Sequence, residues 1–148
     1  MPATIDLHLH TLASDGRLSP TKLIQLVAKQ GLETISITDH DSTEGLAEAY
    51  EAAKEFPYMR IIPGIEMSAD IPGDEVHVLG YFLDYHDVEF QGMLTELRRG
   101  RVGRARVMVE KLVVLGKPVE WERVLHFAGD GTVGRPHIAD RKSTRLNT

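Results

Sequence analysis

Apolar and polar residues alternate along the first segment of this chain. Over residues 4–10 (TIDLHLH), one side carries only apolar residues and the other carries Asp6, His8 and His10. A period of two is typical of a β-strand. Apolar segments over 34–38 (TISIT) and 59–67 predict a second and a third strand, the third interrupted by Pro63-Gly64. A turn over 71–74 and a fourth strand over 76–83 follow.

Between the strands, the apolar positions recur with a helical period. Ser19-Pro20 predicts the N-cap and first turn of a helix that stops at Gly31. Further helices are predicted over 43–56, 88–116 and 119–127, although Gly100 and Gly103 weaken the middle of the long one. The order β-α-β-α-β predicts an α/β fold with parallel strands and helices outside.

The composition limits the classes of protein to which the chain can belong. Of the 148 residues, 42% are hydrophobic and 26% are charged, as in globular chains, and the net charge is −5. The chain contains no cysteine, which excludes disulfides, thiolate metal sites and cysteine nucleophiles. No apolar run approaches the roughly 20 residues of a membrane span, and the start lacks a secretory signal. We therefore expect a cytoplasmic protein that involves neither a membrane nor an obligate protein partner.

Candidate metal ligands begin on the first strand. His8 and His10 are two residues apart, so both imidazoles lie on one face and can share a metal ion or lie between two. Asp6 lies on the same face, where a carboxylate can orient a ligating imidazole. The alternative for an isolated His-x-His is a hydrogen-bonded pair of strand histidines. Asp15 follows in a loop, as a further ligand or in an Asx turn with Gly16 at positive φ.

The ends of the second and third strands supply two more candidates. His40 stands in Thr38-Asp39-His40-Asp41, and functional groups of parallel α/β folds gather at the carboxyl ends of strands. Asp41 and Ser42 could instead cap the next helix. Glu66 ends the third strand, where it could bridge two cations or be merely an exposed glutamate.

Two histidines later in the chain complete the candidates. His77 on the fourth strand is a ligand or a buried histidine bonded to a backbone carbonyl. His137, in Gly134-Arg-Pro-His, is a ligand or part of a loop before a helix that starts at Pro136. So many nitrogen and oxygen ligands exceed one tetrahedral site, which favours two or three divalent ions, Zn²⁺, Mn²⁺ or Fe²⁺. The candidate ligands are His8, His10, Asp15, His40, Glu66, His77 and His137.

These motifs carry a family resemblance. HLH, SDG, TDHD, PGIE, HVLGY and GRPH, in this order, resemble the PHP (polymerase and histidinol phosphatase) superfamily over residues 4–139. The chain is most similar to its nucleotide phosphoesterase branch, which includes nucleoside 3′,5′-bisphosphate phosphatases and 5′–3′ exoribonucleases. The resemblance implies a distorted (β/α)7 barrel with a trinuclear metal centre at the strand ends, and it assigns metal ligation to the seven residues above.

A cluster of arginines bears on the substrate. Arg98, Arg99, Arg101, Arg104 and Arg106 fall within nine residues, which is typical of a solvated helix face. The apolar stripe of that helix nevertheless includes position 101, where a lone cation is costly unless paired. We expect Arg101, and Arg135 beside His137, to bind substrate phosphate.

The function predicted from these residues is a metal-dependent phosphoesterase that uses a metal-activated water. Among the ligands, we expect Asp15, His40 and Glu66 to act in catalysis. The resemblance favours a phosphorylated nucleotide or the 5′ end of short RNA as substrate. The alternatives are a non-catalytic metal- or nucleic-acid-binding module and a histidinol-phosphatase-like enzyme.

The end of the chain differs from the rest. Residues 140–148 (DRKSTRLNT) have no apolar period and resemble a translated sequencing adapter. We therefore expect the N-terminal part of a PHP domain over 1–139, with a helical insertion over about 88–139, followed by a non-native tail. The family's late Asp-x-His is missing after His137, so this chain is expected to form an incomplete barrel, to aggregate, to bind one or two ions weakly and to be nearly inactive.

Overall fold

A computed structural model describes residues 4–71, 74–129 and 131–143. Its strands and helices follow the predicted order. A fifth helix, given above only as one alternative with its start at Pro136, begins one residue earlier and contains His137. The elements are β1 (Ile5–Leu9), α1 (Pro20–Lys29), β2 (Thr34–Ile37), α2 (Gly45–Ala53), β3 (Arg60–Ile71), β4 (Asp74–Tyr81), α3 (Val88–Val114), α4 (Trp121–Ala128) and α5 (Arg135–Ser143).

The four strands form one sheet in the order β1-β2-β3-β4. The first three are parallel, as predicted, and β4 lies antiparallel to β3. The predicted interruption of the third strand at Pro63-Gly64 is wrong. Pro63 pairs with Ile37 at the end of β2, so its missing N–H falls where that ladder stops, and Gly64 continues β3 by pairing with Tyr81. The predicted turn over 71–74 includes residues 72 and 73, which lie outside the described part.

The helix α1 begins and ends as its sequence predicts. The Ser19 hydroxyl accepts a hydrogen bond from the Lys22 N–H (3.4 Å), and Pro20 occupies the first turn. Gly31 has a φ of 78°, which a residue with a side chain rarely adopts. The apolar faces of α1 and α2 pack against β2, and burial of each Leu or Ile contributes about 2 kcal/mol. This core contains Leu23, Ile24, Val27, Ile35, Ile37, Leu46 and Ala49.

The long helix α3 is continuous over 27 residues in spite of its glycines. It starts at Asp87, whose side chain accepts from the Phe90 N–H at 2.7 Å. A second apolar cluster joins α3, α4 and α5 and contains Ala105, Val109, Val124, Ala128, Val133 and Ile138. Within the described ranges, no helix is long and apolar enough to cross a membrane.

Candidate metal centre

The candidate ligands of the sheet meet at one edge. His8 and His10 come from the end of β1, His40 follows β2, and Glu66 lies on β3 where it forms an isolated parallel bridge with His40. His77 arrives from β4, opposite Ser68, which places it diagonally across from Glu66 on the same face. The parallel strands therefore deliver their polar ends to one place, and the antiparallel strand adds one more imidazole.

Glu66 is the centre of this cluster. Its Oε2 lies 2.9 Å from His8 Nε2, 3.1 Å from His10 Nε2 and 3.7 Å from His40 Nδ1. Its Oε1 accepts from His77 Nδ1 at 2.7 Å. Burial raises the pKa of the Glu66 carboxyl, but hydrogen bonds from His8 and His77 and the nearby imidazoles outweigh it and hold the pKa below its ordinary value. One buried carboxylate thus faces four histidines with both of its oxygens.

Asp15 is the second carboxylate of the cluster. Its two oxygens lie 3.5 Å from His10 Nδ1 and 3.5 Å from His40 Nε2. The hydrogen bond to His40 lowers the pKa of Asp15 to about 2. The neighbouring Gly16 does not have a positive φ. A Cβ there would lie 2.4 Å from the carbonyl oxygen of His10, so close backbone approach excludes a side chain.

The donor atoms divide into three overlapping sets, each with atoms within 4.8 Å of one another. Each of His10, His40 and Glu66 belongs to two of the sets. The centres of successive imidazole rings in the series His8, His10, His40 and His77 lie 4.8 to 5.0 Å apart. Burial lowers the pKa of His10, which favours the neutral, metal-binding form at neutral pH. Imidazole and carboxylate donors in this ratio fit Zn²⁺, Mn²⁺ or Fe²⁺. The sets are His8–His10–Glu66, His10–Asp15–His40 and His40–Glu66–His77.

The low pKa of Asp15 leads to a prediction about the stability of the metal-free fold. Because folding lowers this pKa from 3.8 to about 2, the ionised carboxylate stabilises the fold above pH 4, and this contribution is lost as the pH falls through 2. Replacing Asp15 with asparagine is expected to cost about 2 kcal/mol at pH 6 but only about 1 kcal/mol at pH 3. Urea unfolding of both proteins at the two pH values, with chelator present, measures the difference; an equal cost at both contradicts it.

His137 lies apart from these three sets. It is buried at the start of α5, and its Nδ1 accepts from the Gly134 N–H at 3.0 Å. A Cβ built on Gly134 would lie 4.0 Å from this Nδ1 and 3.9 Å from Arg101 Nη1. The structure therefore places His137 on the side of Arg101, without bringing it into the metal-ligating sets found among the described residues.

The arginine run does not form a single basic surface. Arg98 pairs with Glu44 at 2.5 Å, Arg99 pairs with Glu96 at 2.7 Å, and Arg106 lies 5.1 Å from the centre of the Trp121 ring. Arg101 points inward, as predicted, and its side chain is 9% exposed. Arg101 and Arg135 line a cavity between α3 and α5, together with Arg104, Ala105, Met108, Val133, Gly134 and Ile138.

Sequence reasoning missed the role of Asp39. This buried carboxylate accepts from the Thr11 N–H (2.7 Å), the Thr11 hydroxyl (2.6 Å) and the Ser14 hydroxyl (2.6 Å). It therefore fixes the loop that follows His10 against the end of β2. The position of Asp39 at a strand end, immediately before His40, could have indicated a functional role. Its hydrogen-bond partners could not be predicted, because they lie 25 and 28 residues away in the sequence.

Asp41 does not cap α2, contrary to one interpretation of the sequence. Glu44 occupies the N-cap position and makes no side-chain cap. Asp41 instead accepts from the Ser68 N–H at 2.9 Å and from Arg101 Nε. Asp6, expected to orient an imidazole, accepts from the backbone N–H of His8 at 3.1 Å.

Comparison with known proteins gives three matches of interest. The PHP domain model matches residues 6–118. The chain is 34% identical to the 5′-3′ exoribonuclease Rnm of Salmonella typhimurium over 90% of this chain and 46% of that protein. It is 38% identical to the 3′,5′-nucleoside bisphosphate phosphatase of Chromobacterium violaceum over 77% of this chain and 40% of that protein. The chain thus spans about half, or less, of these relatives.

Two solved structures share the fold. An amidohydrolase from Chromobacterium violaceum, with bound sulfate and no metal, has a TM-score of 0.88 and 31% identity over 99% of this chain and 51% of its own. A protein from Bifidobacterium adolescentis, assigned as a metal-dependent phosphoesterase, has a TM-score of 0.86 and 34% identity over 99% of this chain and 52% of its own. These matches confirm the predicted fold class, an α/β fold that forms an incomplete barrel.

Proposed function

The chain belongs to the PHP domain family, and from that premise we propose that its cluster of four histidines and two carboxylates holds two or three divalent metal ions and hydrolyses phosphate esters. The observation that carries the proposal is the convergence of His8, His10, His40 and His77 on Glu66. Apart from metal ligation, few functions need four imidazoles around one buried carboxylate.

A bound divalent ion lowers the pKa of coordinated water and polarises a phosphoryl oxygen. Glu66 would be able to supply a donor oxygen to each of two ions, because Oε1 faces His77 while Oε2 faces His8 and His10. Asp15 carries no proton at neutral pH, since its pKa is about 2. We therefore propose that Asp15 ligates a metal ion and orients His40, and that it does not protonate the leaving group.

The substrate is proposed to be anionic. Arg101, Arg104 and Arg135 line the cavity between α3 and α5, and guanidinium groups bind phosphate oxygens through paired N–H donors. Arg101 also contacts His40, so this cavity adjoins the proposed metal ligands. Together with the names of the relatives, this favours a phosphorylated nucleotide or the 5′-phosphorylated end of a short RNA. His137, outside the three ligand sets, is proposed to complete a metal or phosphate site next to Arg135.

Hydrolysis of two defined compounds tests the proposal. We expect the chain to release inorganic phosphate from adenosine 3′,5′-bisphosphate, or a nucleotide from 5′-phosphorylated RNA, slowly and only with Mn²⁺ present. Replacing His10 with alanine is expected to lower the rate at least about 100-fold, because His10 belongs to two ligand sets. His86→Ala is the matched control, since His86 is exposed and outside those sets. Normal Mn²⁺ binding without turnover of either compound would favour a non-catalytic metal-binding module.

A further inference from the structure

Side chains from three separate parts of the chain contact one another next to His40. The side chains concerned are Asp41, which follows His40, Ser68 on β3 and Arg101 on α3. The Asp41 and Arg101 side chains are 1% and 9% exposed, so their ion pair is buried. A buried pair of charges contributes little to net stability when compared with apolar residues of the same size. Its presence beside the proposed metal ligands therefore calls for another explanation.

Asp41 fixes the direction of the chain immediately after His40. Its φ of 48° lies in the left-handed region, which costs a residue with a side chain conformational energy. Three hydrogen bonds hold it there. The Asp41 N–H donates to the Glu66 carbonyl at 3.0 Å, Oδ1 accepts from the Ser68 N–H at 2.9 Å, and Oδ2 accepts from Arg101 Nε. The backbone that carries His40 is thereby tied to the strand that carries Glu66.

Arg101 occupies the space next to the His40 ring. Its Nη2 donates to the Ser68 hydroxyl and lies 3.3 Å from His40 Nδ1. A guanidinium stays charged in proteins, so its charge would repel a divalent cation bound to this imidazole. Asp41 cancels that charge at close range. Asp41 is thus needed for as long as Arg101 packs α3 against a cation site.

From this geometry, we infer that Asp41 and Arg101 are positioning residues for His40. Asp41 sets the backbone conformation at His40 and neutralises Arg101, while Arg101 links α3 to the imidazole and to β3. The inference deepens the proposed function and rests on metal binding at the histidine cluster.

A double-mutant cycle with Mn²⁺ affinity as the readout tests this role. Asp41→Asn keeps an oxygen that can accept from the Ser68 N–H but leaves the charge of Arg101 uncompensated. We expect it to weaken Mn²⁺ binding at least about tenfold, and Arg101→Met to weaken it less. In the double variant, Asp41→Asn with Arg101→Met, most of the loss in Asp41→Asn should be regained.

The exposed ion pair on the same helix supplies the control. Arg99→Met and Glu96→Gln remove a pair whose side chains are 73% and 70% exposed, and affinity should change less than about twofold. Urea midpoints without metal separate folding from binding. If the pair had only a structural role, the two losses of Mn²⁺ affinity would have the opposite order. Arg101→Met would then leave a buried carboxylate unpaired and would weaken binding at least as much as Asp41→Asn.

A milder variant keeps the test valid if Asp41→Asn does not fold. Ser68→Ala removes one acceptor of the guanidinium and retains both charges, so it should shift the visible absorption of bound Co²⁺ with less than about threefold loss of affinity. Wild-type affinity in Asp41→Asn, a double variant as weak as Asp41→Asn, or an unchanged Co²⁺ spectrum in Ser68→Ala would overturn the positioning role alone. Failure of the wild-type chain to bind Mn²⁺ would overturn both this role and the proposed function.

Discussion

Replacing Glu66 with alanine is expected to lower the affinity of the chain for Mn²⁺ at least about 100-fold. The carboxylate belongs to two of the three ligand sets, and its oxygens lie within 3.1 Å of His8, His10 and His77. Its loss removes the shared donor and also the group that orients the imidazoles, and partners that only orient ligands already change metal affinity 10–100-fold. Titration of Mn²⁺ by calorimetry or electron paramagnetic resonance measures the change.

The matched variant Glu66→Gln separates the charge from the shape. The amide retains one oxygen but cannot bridge two cations as a carboxylate does, so we expect one ion to be weakened more than the others. Glu51→Gln is the control, because Glu51 is 72% exposed and pairs only with Lys54 among the contacts described. Equal weakening of every ion would show that Glu66 is not a bridge, and unchanged affinity in Glu66→Ala would remove it from the metal centre.

Replacing Asp39 with alanine is expected to lower the free energy of unfolding by about 4 kcal/mol. The carboxylate is 1% exposed and accepts three hydrogen bonds, from the Thr11 N–H, the Thr11 hydroxyl and the Ser14 hydroxyl. Each hydrogen bond to a charged group contributes about 1.5–3 kcal/mol, and truncation also leaves the buried donors without an acceptor. Urea unfolding in the presence of a chelator measures this cost without any contribution from bound metal.

An exposed aspartate provides the comparison for Asp39. Asp84 accepts from the His86 N–H at 3.0 Å at the surface, so Asp84→Ala should cost less than about 1 kcal/mol. A loss below 1 kcal/mol in Asp39→Ala would show that the loop after His10 does not depend on this carboxylate.

Local signals in the sequence were sufficient for most of the elements and for the meeting of the candidate ligands at one edge of the sheet. The alternation around His8 and His10, and the placement of His40 and Glu66 at strand ends, are short-range patterns that a parallel sheet converts into proximity. The cap at Ser19 and the stop at Gly31 are equally local. These features could be predicted because each depends on residues within one element or at its end.

The features that were missed depend on distant partners. Asp41 could cap a helix by its position alone, but its partners Ser68 and Arg101 are 27 and 60 residues away. Pro63 ordinarily interrupts a strand, and it is tolerated here only because the neighbouring β2 ends opposite it. His137 lies outside the three ligand sets found among the described residues, and its part in metal binding stays a prediction. Tertiary contacts decide these cases, and a pattern of residue types does not contain them.

Anomalous diffraction at the zinc edge, from crystals of the chain grown with Zn²⁺, shows directly whether the histidine cluster is a metal centre. We expect two peaks, each about 2.0–2.2 Å from donor atoms of the three ligand sets, with Glu66 contacting both ions. Peaks confined to other parts of the surface, or no peak between the imidazoles of His8, His10, His40 and His77, would contradict this expectation.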